Sequence, residues 1–308
     1  MMRISPELAD TIAVVVDEGT LDAAARRLHI TPSAVSQRIK ALEQQLGRVL
    51  LVRSKPARLT EAGTAVVRMA RQMALLEHDA LAELGGDGEE GARTPVPLAV
   101  NADSLATWFL EPLARLSLRH PVVFELHRDD QDFTAALLES GTAMGAVTSR
   151  ATPVAGCRVS ALGAMRYEAV ATPAFVRQWL PEPGSLTPLG SAPLVDFDRR
   201  DDLQTRWLAL CGIEGARVGR HFVPASNDFA AAVRHGLGWG LLPRFQSQEA
   251  LDAGTLVLLG GPPIDVPLYW QQWNLRSPLL DAIADEIVGE GRRVLAPFEG
   301  AGEPVSRR

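Results

Sequence analysis

The stretch LDAAARRLHITPSAVSQRIKALEQQL, residues 21–46, decides how the rest of the chain is read. It divides into two short helices joined by a tight turn. The second opens at Thr31, whose hydroxyl can accept a free backbone N–H, and continues with Pro32 at the first helical position, where a missing donor costs nothing. Val35, Ile39, Leu42 and Leu46 then recur at spacings of four, three and four, which makes one apolar stripe. The opposite face carries Ser33, Ser36, Gln37, Arg38 and Lys40. These hydroxyls, amide and cations suit a DNA major groove, because Gln pairs bidentately with adenine, Arg and Lys with guanine, and Ser with a base edge or phosphate. Alone, the helix reads by default as an ordinary amphipathic helix with a solvated face. Its flanks decide between the two.

Upstream, Ser5 and Pro6 open a helix with Leu8, Ile12, Val15 and Val16 on one side, and Gly19 stops it. Thr20 caps the next helix, where Ala23, Ala24 and Ala25 offer a small surface for close crossing, and His29 with Ile30 forms the turn. Downstream, Gly47 closes the third helix. Residues 49–54 read as a short strand and 58–60 as its return, giving a wing that carries Arg53, Lys55 and Arg58 toward phosphates or the minor groove. Thr60 caps a longer helix with Val66, Met69, Met73, Leu76, Ala80 and Leu84 at spacings near those of a coiled-coil seam. That stripe either packs on its own domain or pairs two chains. The glycine-rich, acidic run GGDGEEGART, residues 85–94, reads as a flexible linker.

Charge is distributed to match. The 308-residue chain has a net charge of −6, yet between Arg26 and Arg71 ten cations face only Glu43 and Glu61. That segment has a surplus of eight, so the remainder must carry −14. A basic footprint on an acidic body fits a protein that touches nucleic acid at one end. A hydrophobic content of 46% fits a globular protein with ample core, and no apolar run reaches membrane-spanning length. The first residues lack the pattern of a secretory leader, and Cys157 and Cys211 are too few and too far apart for a disulfide framework; a cytoplasmic protein with reduced thiols is expected.

Residues 4–65 resemble the winged helix-turn-helix of LysR-type transcriptional regulators, through LDAAARRLHITPSAVSQRIKALEQQLG, LLVR and LTEAG. Leu51 stands where that family often has an aromatic residue, which bears on wing packing. Farther on, VNADSLATWFLEPLA, LGAMRYEAVATPAFV, VDFDRRDDL and LYWQQW are similar to the branch that controls basic-amino-acid export, the LysG and ArgP type. The resemblance implies a periplasmic-binding-protein-like sensor, a homodimer or homotetramer, and lysine or arginine as effector.

The residues of the second half support that architecture independently. Strands at 96–100, 122–127 and 146–148 alternate with helices at about 105–118 and 132–140, a βαβαβ set with a parallel sheet. A second set follows, with strands at 167–171, 194–197, 218–223 and 239–242, and a last strand at 268–273 with a helix at 279–295 returns to the first. The fold class is therefore an α/β sensor of two Rossmann-like lobes with a cleft between them, behind an all-α winged helix-turn-helix and a linker helix. The expected division is 1–59 for DNA binding, 60–84 for the linker helix and 85–94 for the flexible linker. Residues 95–164 with 266–298 form lobe I, 165–265 lobe II, and 299–308 a flexible tail.

Ligands of open α/β sheets sit beyond the carboxyl ends of strands. There Asp103, Ser104 and Thr107 open a helix suited to a carboxylate, and Thr148 ends a neighbouring strand. Asp196, Asp198, Asn227 and Asp228 lie on the second lobe, where carboxylates would select an ammonium or guanidinium group. Taken singly, each Asp reads first as a helix cap or a solvated residue, and only the family resemblance favours a basic effector. Nothing points to catalysis: Gly236, Gly238 and Gly240 precede a strand rather than a helix, and the six histidines show no metal spacing. No nucleophile elbow occurs. No cofactor is expected, and partners would be duplex DNA, a small effector, a second copy of the chain and RNA polymerase. A solute-binding transport component would explain the lobes but leave the basic segment idle.

Overall fold

The structure is a computed structural model and describes residues 4–52, 54–84, 93–128, 134–182, 184–214 and 218–298. Arg53, most of the expected 85–94 linker, the start of the helix expected at 132 and the 299–308 tail lie outside the described residues.

Three helices, α1 (Pro6–Glu18), α2 (Leu21–Arg27) and α3 (Pro32–Leu46), form the head. Thr20 accepts the Ala23 N–H and Thr31 the Ala34 N–H, both at 3.2 Å, while Gly19 and Gly47 end helices in the left-handed region. Ser5 makes no side-chain cap; there the fixed φ of Pro6 sets the helix start. Ile12, Val15, Ala24, Val35, Ile39, Leu42 and Leu50 meet in one core.

The wing strands β1 (Leu51–Val52) and β2 (Arg58–Leu59) are antiparallel. β1 starts later than the expected 49 because the Glu43 carboxylate takes the Leu50 N–H at 2.8 Å and reaches that of Leu51 at 3.4 Å. Helix α4 (Glu61–Glu83) begins where the Thr60 hydroxyl accepts the Gly63 N–H at 3.1 Å. Val66 and Val67 of α4 complete the core of the head, and Leu75 enters that of the sensor. Met73, Leu76, Ala80 and Leu84 are exposed, and Met69 is half-buried. The stripe therefore divides: Val66 belongs to its own domain, and the exposed part starts at Met73.

The sensor opens with β3 (Thr94–Val100), α5 (Ala102–Thr107), α6 (Leu110–Arg119), β4 (Val122–Arg128), α7 (Thr134–Glu139) and β5 (Gly145–Thr148). β4, β3 and β5 are parallel neighbours. The single helix expected at 105–118 is two helices, because Trp108 and Phe109 turn inward to burial at 3% and 0% exposure. Next come β6 (Cys157–Ala171), α8 (Pro173–Trp179), β7 (Leu194–Asp196), α9 (Leu203–Leu210), β8 (Arg220–Phe222), α10 (Ser226–Arg234), β9 (Gly240–Pro243), α11 (Arg244–Asp252), β10 (Val257–Leu258), β11 (Ile264–Trp273) and α12 (Pro278–Val294). Only 167–171 of the fifteen-residue β6 were expected. Its first half holds Gly163 at φ +143°, where a Cβ would lie 2.6 Å from the Leu295 Cβ. A close approach of Leu295 and Ala296, just after α12, and not β propensity, shapes that half.

The sheet order is β10-β6-β11-β5-β3-β4, with β9 also on β6, and β7 and β8 form a separate parallel pair. β6 and β11 are antiparallel along their lengths and run through both lobes. They are the two crossings that set the cleft. Trp270 of β11 packs on Phe109 with centroids 6.4 Å apart, and a Cβ at Gly145 would sit 2.3 Å from its ring. Gly145→Ala is expected to cost about 2–3 kcal/mol through overpacking, read as a lowered Tm with α-helical content unchanged. No helix among the described residues is long and apolar enough to cross a membrane.

Candidate functional site

On α3 the Thr31, Pro32, Ser33, Gln37 and Lys40 side chains are exposed, and Ser36 is half-buried. The Thr31 and Ser33 hydroxyls lie 2.9 Å apart, so Thr31 caps the helix and holds Ser33 beside it. Arg38 goes elsewhere. Its guanidinium turns back on α1, paired with Glu7 and 3.4 Å from the Thr11 hydroxyl. The outward face thus narrows to hydroxyls, one amide and one cation, and Arg38 locks α3 against α1. Lys55 and Arg58 are exposed on the wing alongside.

A cavity of about 350 Å³ opens between the lobes, within the range of small-molecule sites. Asp103 and Asp198 of the expected residues line it, and so do Asn101, Arg128, Tyr167 and Asp201. Asp103 spans the lobes: its carboxylate accepts from the Tyr167 hydroxyl and, at 2.6 Å, from the Ser226 hydroxyl. Arg128 donates to the Pro224 carbonyl at 3.2 Å, a second tie across the cleft. The Asn101 amide oxygen is buried with no partner among the described residues.

The second-lobe carboxylates differ in use. Asp201 accepts the Phe197 and Leu203 N–H groups at 3.1 and 3.0 Å, tying the loop after β7 to the start of α9. Burial pushes its carboxyl above the usual range; those N–H groups pull it down, and Asp196 and Asp103 push it up further. Burial would also raise Asp198, but the Arg200 and Asp201 N–H groups and the Arg200 guanidinium outweigh it and hold it low.

The other expected residues lie outside the cavity wall. Asp196 is buried and paired with Arg220 at 2.5 Å. Ser104 is buried, Thr107 donates to the Asp103 carbonyl at 2.7 Å, and Thr148 accepts the Arg150 N–H at 3.1 Å. Asn227 and Asp228 are exposed in the first turn of α10, and Ser226, one residue earlier, makes the contact across the cleft. Asp201 had a readable signal: it stands just ahead of the first turn of α9, where free N–H groups favour a carboxylate. Tyr167 and Arg128 had none.

Cys157 and Cys211 are free, with burial pushing the Cys157 thiol up to about 11. No group of three His, Cys, Asp or Glu among the described residues could hold a metal.

Residues 7–64 match the family model for the bacterial regulatory helix-turn-helix protein, lysR family, and residues 89–292 match the LysR substrate binding domain. The chain belongs to the LysR family. This LysR-family protein is a DNA-binding transcriptional regulator, similar to the HTH-type transcriptional regulator LysG of Mycobacterium tuberculosis at 46% identity, covering 92% of this chain and 91% of the relative. It is also 41% identical to the lysine export transcriptional regulatory protein LysG of Corynebacterium glutamicum, covering 96% of this chain and all of the relative. Among solved structures, ArgP from Mycobacterium tuberculosis superimposes with a TM-score of 0.85 at 43% identity, over 96% of this chain and all of that one. Full-length LysG from Corynebacterium glutamicum with the effector Arg bound superimposes with a TM-score of 0.77 at 40% identity, with the same coverage.

Proposed function

We propose that this regulator senses a basic amino acid, arginine or lysine, and with it controls the gene of an amino-acid exporter. The observation that carries the reading is the cavity wall: the carboxylates of Asp103 and Asp201 line a common space, and the Asp103 charge adds to the rise that burial gives Asp201. A cation between them relieves that repulsion, and an apolar side chain does not. The similar LysG of Corynebacterium glutamicum is a lysine export regulator, and its structure holds Arg, which supports the same ligand class here.

In this reading residues 1–59 grip DNA, 60–84 pair two chains through Met69, Met73, Leu76, Ala80 and Leu84, and the effector closes lobe II (165–265) on lobe I (95–164 with 266–298). Closure changes the spacing of the heads on the operator and the engagement of RNA polymerase. Thr31, Pro32, Ser33, Ser36, Gln37 and Lys40 enter the groove, with Lys55 and Arg58 on phosphates. Arg38 contributes by fixing α3. The protein acts in the cytoplasm and catalyses nothing.

A thermal-shift panel of the twenty amino acids tests the effector. Saturating arginine or lysine should stabilise by about 3 kcal/mol at a hundred times Kd, with leucine and glutamate silent; a response confined to apolar amino acids would overturn the assignment. On the DNA side, Lys55→Ala should weaken all sequences alike and lower the salt slope by about one, whereas Gln37→Ala should cost about 1–3 kcal/mol and change base preference. Titrations of operator and scrambled duplex at several salt concentrations separate the two.

A further inference from the structure

Helix α4 carries two adjacent stripes. Met69, Met73, Leu76 and Ala80 run at spacings of four, three and four; Arg68, Arg71, Leu75 and His78 run beside them at three, four and three. The second stripe is committed to lobe I of the same chain. Leu75 is buried in the sensor core, and the His78 ring meets the Thr94 hydroxyl at 2.8 Å. The turn after α7 lies directly on the helix: at Gly141, φ +72°, a Cβ would stand 2.7 Å from the Arg68 Cβ.

One residue of that stripe also holds the head. The Arg71 guanidinium, with its side chain 14% exposed, donates one arm to the Gly141 carbonyl and the other to the Asp17 carboxylate at the end of α1. A guanidinium fork can serve two acceptors on two bodies at once, which an ammonium on one stem cannot do in the same geometry. We infer that Arg71 is the positioning residue that fixes the angle between the DNA-binding head and the sensor, by gripping α1 and lobe I together from α4. Its surroundings make the grip consequential. Burial holds Asp17 above its usual range, Arg71 opposes that, and Glu125 on the edge strand β4 adds to the rise. Without Arg71, Asp17 and Glu125 repel across the seam between head and lobe. The inference goes beyond the effector reading, since it concerns how any change in lobe I reaches the head.

The test compares full-length wild type with Arg71→Ala, Arg71→Lys and Gly141→Ala. In the absence of any amino acid, hydrogen exchange at residues 140–144 and in the last turn of α1 should quicken about tenfold in Arg71→Ala and Arg71→Lys, the loss of a charge-assisted bond on each side. With arginine added, the Kd of the variants should stay within about twofold of wild type, while the arginine-dependent change in the operator footprint is lost. Gly141→Ala, which pushes the turn off Arg68 and leaves Arg71 with Asp17, should quicken exchange at residues 140–144 alone and still lose the arginine-dependent footprint change, and it decides the matter if Arg71→Ala fails to unfold cooperatively. Wild-type exchange in these variants, or full rescue by Arg71→Lys, overturns the inference. If wild type itself ignores arginine, the effector assignment falls, and the exchange measurements still decide the role of Arg71.

Discussion

Replacing Met73 and Leu76 together by aspartate should turn the regulator into a monomer and weaken operator binding by at least about a hundredfold. Both side chains are large, apolar and solvent-facing, at 37% and 42% exposure, and Leu81 and Leu84 continue the patch at 48% and 83%. Neither belongs to the core of the head or of the sensor. In a seam between two antiparallel or parallel copies, each introduced carboxylate would face another across desolvated space. Two heads tethered on one dimer bind successive grooves with an effective concentration that a lone head lacks, which is where the affinity loss originates. Sedimentation equilibrium reads the first effect and an operator gel-shift the second, with Tm expected to stay near wild type. Val66→Asp is the contrasting variant: Val66 is 6% exposed inside the head, so it should unfold that domain rather than dissociate the chains. A dimer that survives the double substitution would remove α4 from the interface.

The head was legible because its determinants are local. Caps at Thr20, Thr31 and Thr60 act three residues away, and the buried stripe of α3 repeats every turn. What spacing could not show was which distant group claims a side chain. Arg38 shares the polar side of α3 with Gln37, and only the folded position of Glu7, 31 residues earlier, draws it off the groove face. Asp196 and Asp201 look equivalent in VDFDRRDDL; Arg220, 24 residues on, takes the first, and the turn into α9 holds the second in the cavity wall. Asp103 was found by its place after a strand, but its partners lie 64 and 123 residues away. The first half of β6 escaped because its conformation answers to Leu295 and Ala296 packed on Gly163 rather than to its own alternation.

Asp103 carries the second large effect. Asp103→Asn should lower affinity for arginine by about a hundredfold, roughly the 3 kcal/mol of a charged hydrogen bond and its counter-charge, while leaving operator binding without effector in place. The amide keeps one acceptor for the Ser226 or Tyr167 hydroxyl but cannot neutralise a cation. Calorimetry with arginine and with the neutral analogue citrulline separates these roles: the variant should lose its preference for arginine over citrulline, and a retained preference would clear Asp103 of cation recognition. Acid gives an independent reading through Asp201, whose carboxyl burial holds above the ordinary 3.8. A bound cation favours the charged form, so arginine affinity is full above the Asp201 pKa of the empty cleft and falls as pH is lowered through it. The same shift has the opposite sign for the empty protein. A folded-state pKa above the unfolded value means that the folded chain holds the proton more tightly, so this one group adds stability as pH drops toward 3.8 and subtracts it at neutrality. Effector affinity and the Asp201 contribution to apo stability should therefore move in opposite directions with pH, and Asp201→Asn should flatten both. A pH series of arginine titrations in which wild type and variant run parallel would place the acid-sensitive group elsewhere.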